Sequence, residues 1–242
     1  MSVTVVVPTY NEAANLAPMA EALLALPVPE LRLLVVDDDS PDGTGRLADD
    51  LAAASSGRIA VLHRRGGRGL GRAYLDGFRR ALDDGAEAIV QMDADFSHAP
   101  ADVPRLLERL ADHDVAVGSR YAPGGTVAED WGLGRRTLSR SANAYARTLL
   151  KLRTRDATAG FKAWRSTALR AVDLGRVRSN GYLVQVEMTY ICERLGLHIA
   201  EVPIHFAERR VGRSKMSLRV KLEAAWGLLG VWRRHHRIRP PA

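Results

Sequence analysis

Two aspartates separated by one residue, Asp93 and Asp95, are the best candidates for chemistry in this sequence. They directly follow a short apolar run, residues 88–92, that predicts a buried strand. Carboxylates at this spacing, where a strand opens into a loop, offer oxygen ligands to a hard divalent cation that also binds diphosphate. An isolated Asp-x-Asp pair is common by chance, so the interpretation as a cation site depends on the position of the pair directly after a predicted strand.

Two other apolar runs also end in polar residues. Pro-Thr-Tyr-Asn-Glu occupies residues 8–12 after the run at 3–7, and Asp-Asp-Asp-Ser-Pro-Asp-Gly occupies residues 37–43 after the run at 31–36. The second segment is also good turn chemistry for purely structural reasons. Because the carboxyl ends of parallel strands share one rim of a sheet, three polar ends together favour a site at that rim.

The rhythm of the first half predicts an α/β fold with a parallel sheet. Short runs rich in β-branched residues predict strands buried on both faces, at residues 3–7, 31–36, 59–62, 88–92 and 115–117. Helical patterns lie between them at residues 16–26, with Asn15 as N-cap, and at residues 45–54, 71–82 and 101–110. Alternating strands and helices indicate βαβ units.

A glycine-rich loop at residues 66–71 precedes the third of these helices. It is a poor dinucleotide fingerprint, because it follows the third strand instead of the first. A loop that admits substrate, or a tight strand-to-helix turn, is the better interpretation.

Beyond residue 120 the pattern is looser. A loop at 123–125, a basic helix at 135–152 and extended segments at 156–164 and 202–206 are expected. Apolar residues at helical spacing in 218–232, followed by arginines, fit a helix on an anionic membrane surface or against a partner helix. An amphipathic helix packed on its own core explains the same pattern. Arg140 and Arg147 are interpreted as solvated, a solvated helix surface is an alternative interpretation for Arg135 and Arg136, and His98 is given no chemical role.

Charge is distributed unevenly along the 242 residues. Residues 1–120 contain 12 basic and 19 acidic side chains, whereas residues 121–242 contain 23 basic and 9 acidic ones. The contrast suggests a metal or sugar site facing an anionic ligand. A hydrophobic content of 46% excludes a disordered chain, and no apolar run approaches the about 20 residues of a membrane span. The single cysteine, Cys192, forms no intrachain disulfide, which fits a reducing compartment.

Seven ordered blocks between residue 3 and about residue 217 resemble the polyprenol-phosphate (dolichyl-phosphate) mannosyltransferases, which are inverting GT-A glycosyltransferases of family 2. The blocks are Val-Val-Val-Pro-Thr-Tyr-Asn-Glu (5–12), Val-Asp-Asp-Asp-Ser-Pro-Asp-Gly-Thr (36–44), Gly-Leu-Gly-Arg-Ala-Tyr (69–74), Met-Asp-Ala-Asp-Phe-Ser-His (92–98), Gly-Ser-Arg-Tyr (118–121), Gly-Tyr-Leu-Val-Gln-Val-Glu-Met (181–188) and Gly-Arg-Ser-Lys (212–215). The resemblance implies a single GT-A catalytic domain over residues 1–217, with a Rossmann-like nucleotide-sugar-binding sheet covered by helices on both faces. An amphipathic helix and basic tail at 218–242 would contact a membrane surface or a partner.

The resemblance also implies roles for individual residues. Positions that hold the base and ribose of GDP-mannose are matched by Pro8, Tyr10, Glu12, Val36 and Asp38. The metal and diphosphate segment is matched by Asp93, Ala94 and Asp95, with Ser97 as a third metal ligand where many members have Gln. Positions that grip the diphosphate or the sugar are matched by Arg120, Arg209 and Lys215, and positions that meet the acceptor phosphate by Arg135 and Ser139. Among these, Asp95, Arg120, Arg135 and Ser139 are the expected catalytic residues.

The implied reaction moves mannose from GDP-mannose to a polyprenyl phosphate with inversion, assisted by Mg²⁺ or Mn²⁺. The resemblance places the enzyme at the cytoplasmic face of the cell membrane without spanning it, and allows a separate membrane protein as partner. A related enzyme using another donor, such as UDP-glucose, is the nearest alternative. A nucleic-acid-binding protein is suggested by the pI of about 10.0, but an aromatic content of 6% and the acidic strand ends argue against it.

Overall fold

The computed structural model describes residues 1–208 and 218–240, with side chains of the last helix described from residue 226 onward. The strands are β1 (Val3–Thr9), β2 (Leu31–Asp37), β3 (Ile59–His63), β4 (Ala88–Gln91), β5 (Val115–Ser119), β6 (Thr126–Val127), β7 (Lys162–Arg165), β8 (Ile199–Pro203) and β9 (His205–Phe206). The helices are α1 (Ala13–Leu24), α2 (Thr44–Ala54), α3 (Leu70–Asp83), α4 (Val103–Arg109), α5 (Leu133–Leu150), α6 (Ser166–Val172), α7 (Leu183–Arg194) and α8 (Leu218–His235). Short 3-10 helices occupy Pro100–Asp102 and Leu174–Arg176.

The central sheet has seven strands in the order β3-β2-β1-β4-β7-β5-β8. The predicted strands of the first half run parallel where they pair, but β7 is inserted antiparallel between β4 and β5. The sheet is therefore mixed and not purely parallel as the strand rhythm suggested. Strands β6 and β9 form a separate small parallel pair.

The sheet is buried on both faces because its strands are almost continuously apolar. Alternate residues of β1 belong to different clusters, with Val5 and Val7 facing α1 and α4 and Val6 facing α3 and α7. Helix α3 packs closely on β1, since a Cβ on Gly77 would lie 2.5 Å from Val6 Cγ1. The α/β prediction with helices on both faces is confirmed.

One helix boundary and one strand boundary differ from expectation. Helix α1 begins at Ala13 after Glu12, so the prediction that Asn15 is the N-cap is wrong. Asn15 lies inside the first turn, where its Nδ2 donates to Glu12 Oε2 at 2.8 Å. The extended segment expected at 156–164 is a strand only from Lys162, because residues 156–161 form a loop anchored by side-chain hydrogen bonds.

Helix α8 packs against the rest of the chain. Leu228 and Val231 are buried in a third apolar cluster with Ala146 of α5 and Tyr190 of α7. At the end of α8, His235 Nε2 lies 2.8 Å from the buried Glu187 Oε1, which also accepts a hydrogen bond from Arg234. One face of α8 is thus part of the protein core. Across the described residues, no helix combines the length and apolarity needed to cross a bilayer.

Candidate active site

The ends of β1 and β2 bring four of the predicted nucleotide residues together. Pro8 and Val36 are direct partners in the parallel register, and the Asp38 amide donates to the Thr9 carbonyl at 2.9 Å. Tyr10 and Asp38 therefore emerge side by side at the carboxyl edge. Glu12 lies two residues beyond Tyr10, and its amide donates to Thr44 Oγ1 at 3.0 Å.

The glycine-rich loop is tied to this edge through Asp38. Asp38 Oδ1 accepts a hydrogen bond from Arg64, and Oδ2 accepts one from the Gly69 amide at 2.7 Å. From the same loop, Arg68 lies over the Tyr10 ring at 4.6 Å from its centroid and donates to Tyr10 Oη at 2.7 Å. The loop thus covers the face of Tyr10.

Asp42 belongs to the supporting structure of this edge. It accepts hydrogen bonds from the amide and hydroxyl of Thr44 and from the Ala13 amide, and so joins the starts of α1 and α2. Partial burial opposes ionisation, but these hydrogen bonds lower the pKa of Asp42 below its ordinary value. For Asp42, the structure therefore confirms the interpretation that this segment serves as a structural turn.

Asp93 and Asp95 follow β4 next to the end of β1. Asp93 Oδ1 accepts a hydrogen bond from Tyr74 Oη at 2.7 Å, and the Asp93 amide donates to His98 Nδ1 at 3.3 Å. Asp95 is buried, and its Oδ1 accepts hydrogen bonds from the amide and hydroxyl of Ser97. The Ser97 hydroxyl therefore orients Asp95, and its direct contact with a metal stays a prediction.

The insertion of β7 places an ion pair beside these carboxylates. Arg120, directly after β5, donates two hydrogen bonds to the buried Asp156 at 2.7 and 2.8 Å, and a third to Thr158 at 2.8 Å. Although burial opposes the ionisation of both groups, their attraction lowers the pKa of Asp156 and raises that of Arg120. Both charges are thus maintained at neutral pH.

The predicted acceptor residues Arg135 and Ser139 lie one turn apart on α5 but have different partners. Arg135 pairs with Glu208 at 2.7 Å and lies over the Trp131 ring at 3.9 Å from its centroid. The Ser139 hydroxyl lies 2.6 Å from Tyr121 Oη. Ser139 is therefore linked to the segment that carries Arg120.

A series of aromatic rings connects the predicted metal segment to Arg135. His98 stacks on Phe161 and meets Phe206 edge-on, and Phe206 in turn meets Trp131 edge-on at 5.6 Å. Burial lowers the pKa of His98 and so favours the neutral ring, whose Nδ1 accepts from the Asp93 amide. These ring contacts therefore extend from His98, close to the Asp93–Asp95 pair, to Trp131 beneath Arg135.

Sequence reasoning missed several residues that the fold brings to the site. Tyr74, His98 and Asp156 contact predicted site residues directly. Tyr74 and His98 end two of the seven blocks quoted above, but nothing in their spacing indicated a contact with Asp93. Arg140, interpreted above as solvated, and Arg136 line a small cavity together with Arg120, Tyr121 and Trp131. Their spacing of four residues on a helix was the signal that could have placed them on one face. The predicted residues Arg209 and Lys215 lie outside the described residues.

Comparison with known proteins identifies the family. Residues 4–173 match the model of glycosyl transferase family 2. The chain belongs to this family. Polyprenol monophosphomannose synthase of Mycolicibacterium smegmatis is 47% identical over 232 residues, covering 93% of this chain and 87% of that protein. Undecaprenyl-phosphate mannosyltransferase of Micrococcus luteus is 46% identical over 237 residues, covering 96% of both.

Solved structures agree with the GT-A fold. Glucosyl-3-phosphoglycerate synthase from Mycobacterium tuberculosis, in complex with Mn²⁺, UDP and glucosyl-3-phosphoglycerate, matches all of this chain and 81% of that chain with a TM-score of 0.67 at 20% identity. The same enzyme in complex with Mg²⁺ and UDP matches with a TM-score of 0.66 at 20% identity, over all of this chain and 80% of that chain. At this identity the likeness shows the fold alone.

Proposed function

We propose that this chain transfers mannose from GDP-mannose to a polyprenyl phosphate with inversion, the activity of a dolichyl-phosphate β-D-mannosyltransferase. The observation that carries the proposal is the carboxyl edge of the sheet. There Asp93 and Asp95 follow β4, which pairs with β1 on one side, while on its other side the single strand β7 separates it from β5, the strand that ends just before Arg120. The relatives from M. smegmatis and M. luteus, named for mannosyl transfer to polyprenyl lipids, support this sugar and acceptor class.

The Asp93–Asp95 segment fits a divalent cation, Mg²⁺ or Mn²⁺. Mg²⁺ is commonly held by one or two carboxylates together with phosphate oxygens and water. Among the described side chains, those of residues 1–208 and 226–240, no three His, Cys, Asp or Glu residues group to hold a metal, so substrate diphosphate would complete the coordination. The cation would neutralise charge that develops on the leaving nucleoside diphosphate. The proposed metal and diphosphate segment also includes Ala94, which lies between the two aspartates, and the hydroxyl of Ser97, which follows them.

The chain's own residues would position the two substrates. Pro8, Tyr10, Glu12, Val36 and Asp38 are assigned to the base and ribose of the donor, and Arg120, Arg209 and Lys215 to its diphosphate or sugar. Arg135 and Ser139 are assigned to the acceptor phosphate. A phosphate monoester has a second pKa of about 6 and is already anionic at neutral pH, so no strong general base is required. Its oxygen attacks the anomeric carbon in line with the departing diphosphate, giving a β-mannosyl phosphate.

A donor panel tests this function. The protein is incubated with polyprenyl phosphate, Mg²⁺ and either labelled GDP-mannose or labelled UDP-glucose. We expect label in the lipid fraction from GDP-mannose, with the β configuration established by NMR of the product. Label from UDP-glucose alone would overturn the mannose assignment and favour the alternative donor.

We further propose that the protein works at a membrane surface, on the cytoplasmic face, where its lipid acceptor is found. Exposed apolar side chains support the membrane surface: Leu133 and Tyr145 on α5, and Trp226 and Trp232 on α8. Helix α5 also carries four arginines and no acidic residue, which favours an anionic lipid surface. A separate membrane protein is the alternative contact for the same face.

A further inference from the structure

Asp93 is held from two directions by residues outside its own strand. Tyr74 of α3 donates its hydroxyl hydrogen to Asp93 Oδ1 at 2.7 Å, and the Asp93 amide donates to His98 Nδ1 at 3.3 Å. Neither holding ring has room to move. Tyr74 is fully buried and stacked on Phe78 at 5.8 Å, while His98 is stacked on Phe161 at 5.1 Å.

These contacts distinguish the two oxygens of Asp93. Oδ1 is occupied by the Tyr74 hydroxyl, which leaves Oδ2 as the oxygen better placed to bind a cation. A Cβ added to Gly160 would lie 3.7 Å from Oδ2, so the residue without a side chain leaves space beside this oxygen. The Asp93 carboxylate is thus oriented before any ligand arrives.

Helix α3 connects this carboxylate to the nucleotide side of the site. Just before the helix, the Gly69 amide donates to Asp38 Oδ2 at 2.7 Å, and Tyr74 lies five residues further on. Close packing of Gly77 on Val6 and Val36 fixes the helix against β1 and β2. The position of the Tyr74 hydroxyl relative to the sheet is therefore rigidly determined.

We propose that Tyr74 is a positioning residue that orients the Asp93 carboxylate for a divalent cation, and that His98 fixes the Asp93 backbone for the same purpose. The inference rests on the proposed metal role of Asp93. Hydrogen bonds to a metal ligand typically change metal affinity 10- to 100-fold. We expect Tyr74→Phe, which keeps the buried ring and removes only the hydroxyl, to weaken Mn²⁺ binding about tenfold.

Mn²⁺ binding to the purified full-length protein tests the inference, measured by electron paramagnetic resonance of free Mn²⁺ with and without GDP. Tyr190→Phe is the matched control, because Tyr190 is a buried tyrosine of a different apolar cluster. The control is expected to bind Mn²⁺ like the unmodified protein. His98→Asn, whose side-chain oxygen can replace Nδ1 as acceptor, is expected to bind Mn²⁺ more tightly than His98→Leu.

The outcomes separate the two proposals. If the unmodified protein binds Mn²⁺ and Tyr74→Phe binds it within twofold of the same affinity, the positioning role is overturned. A lower melting temperature with unchanged affinity also overturns that role, since it indicates a merely structural hydroxyl. If the unmodified protein binds no Mn²⁺, the metal role of Asp93 is wrong and the inference is overturned with it.

Discussion

Several charged residues at the candidate site already have a protein partner. Asp38 accepts from Arg64, Asp93 accepts from Tyr74, and Arg120 donates to Asp156. Each contact restricts a side chain before substrate arrives, so less conformational entropy is lost on binding. The same contacts make the consequences of single substitutions specific.

Asp95→Asn is expected to reduce mannosyl transfer at least about a hundredfold while the fold is retained, because an amide ligates a cation weakly but still accepts from Ser97. Radiolabel transfer and thermal unfolding together check this. Asp84→Asn, at an exposed ion pair with Arg80, is the control and should transfer normally. Near-normal activity in Asp95→Asn would remove the metal hypothesis.

Asp156→Ala is expected to lower the free energy of unfolding by about 3–5 kcal/mol, because it leaves the Arg120 charge buried without its counter-ion. Urea denaturation provides the measurement. Asp84→Ala removes a half-exposed pair and should cost less than about 1 kcal/mol. Equal losses of unfolding free energy in the two variants would show that the buried ion pair stabilises the fold no more than the exposed one.

At the level of elements, two features organise the second half of the chain. The antiparallel strand β7 starts at the edge where the parallel strands end, so the loop before it reaches the site with Asp156 and Gly160. Helix α7 carries Glu187, which joins α8 to the loop before α7 by accepting from His235, Arg234 and the amides of Arg178 and Ser179. One buried carboxylate thereby links α8 to α7 and the loop before it, in addition to the packing of Leu228 and Val231 in the third apolar cluster.

This carboxylate predicts a pH dependence. Burial opposes its ionisation, but hydrogen bonds from His235, Ser179 and Arg234 lower the pKa of Glu187 to about 2, from an ordinary value of 4.5. Because the folded-state pKa is depressed, the ionised Glu187 contributes about 3 kcal/mol to the free energy of unfolding. This contribution is complete above the unfolded-state pKa and is lost as the pH falls toward 2.

Urea unfolding of the unmodified protein and Glu187→Gln at several pH values checks this expectation. The unmodified protein should exceed Glu187→Gln in unfolding free energy, and this excess should be about 1 kcal/mol smaller at pH 3.5 than at pH 6. Glu21→Gln, on helix α1, serves as the control. A difference that does not change with pH would contradict the expectation.

For the whole molecule, the acidic first half and the basic second half of the chain contribute to different regions. The acidic half supplies Asp38, Asp93 and Asp95 at the sheet edge, and the basic half supplies α5 and α8. Apart from Met1, the large hydrophobic side chains that are exposed among the described residues all lie on these two helices: Leu133, Leu138, Tyr145, Trp226 and Trp232. A basic surface with exposed aromatic rings suits an anionic lipid interface.

Trp226, which is 74% exposed, offers the sharpest test of this surface. We expect the protein to sediment with vesicles that contain anionic phospholipid more than with neutral vesicles, and Trp226→Ser to reduce binding several-fold, while Trp226→Phe retains most of it. Deleting residues 218–242 is a poorer test, because it would remove Leu228 and Val231 from the core. Unchanged sedimentation of Trp226→Ser would contradict the proposed surface.

The sequence by itself determined the βαβ rhythm, the polar strand ends and the Asp93–Asp95 pair at a strand end. These features are local, since periodicity and turn chemistry depend on neighbouring residues and parallel strands share one edge. Only the tertiary structure decided that β7 runs antiparallel, that Tyr74 and His98 hold Asp93, and that α8 packs on the core through Glu187. These contacts join residues that are distant in sequence or that a loop brings close together. They depend on strand pairing, side-chain direction and burial, none of which produces a periodic pattern in the sequence.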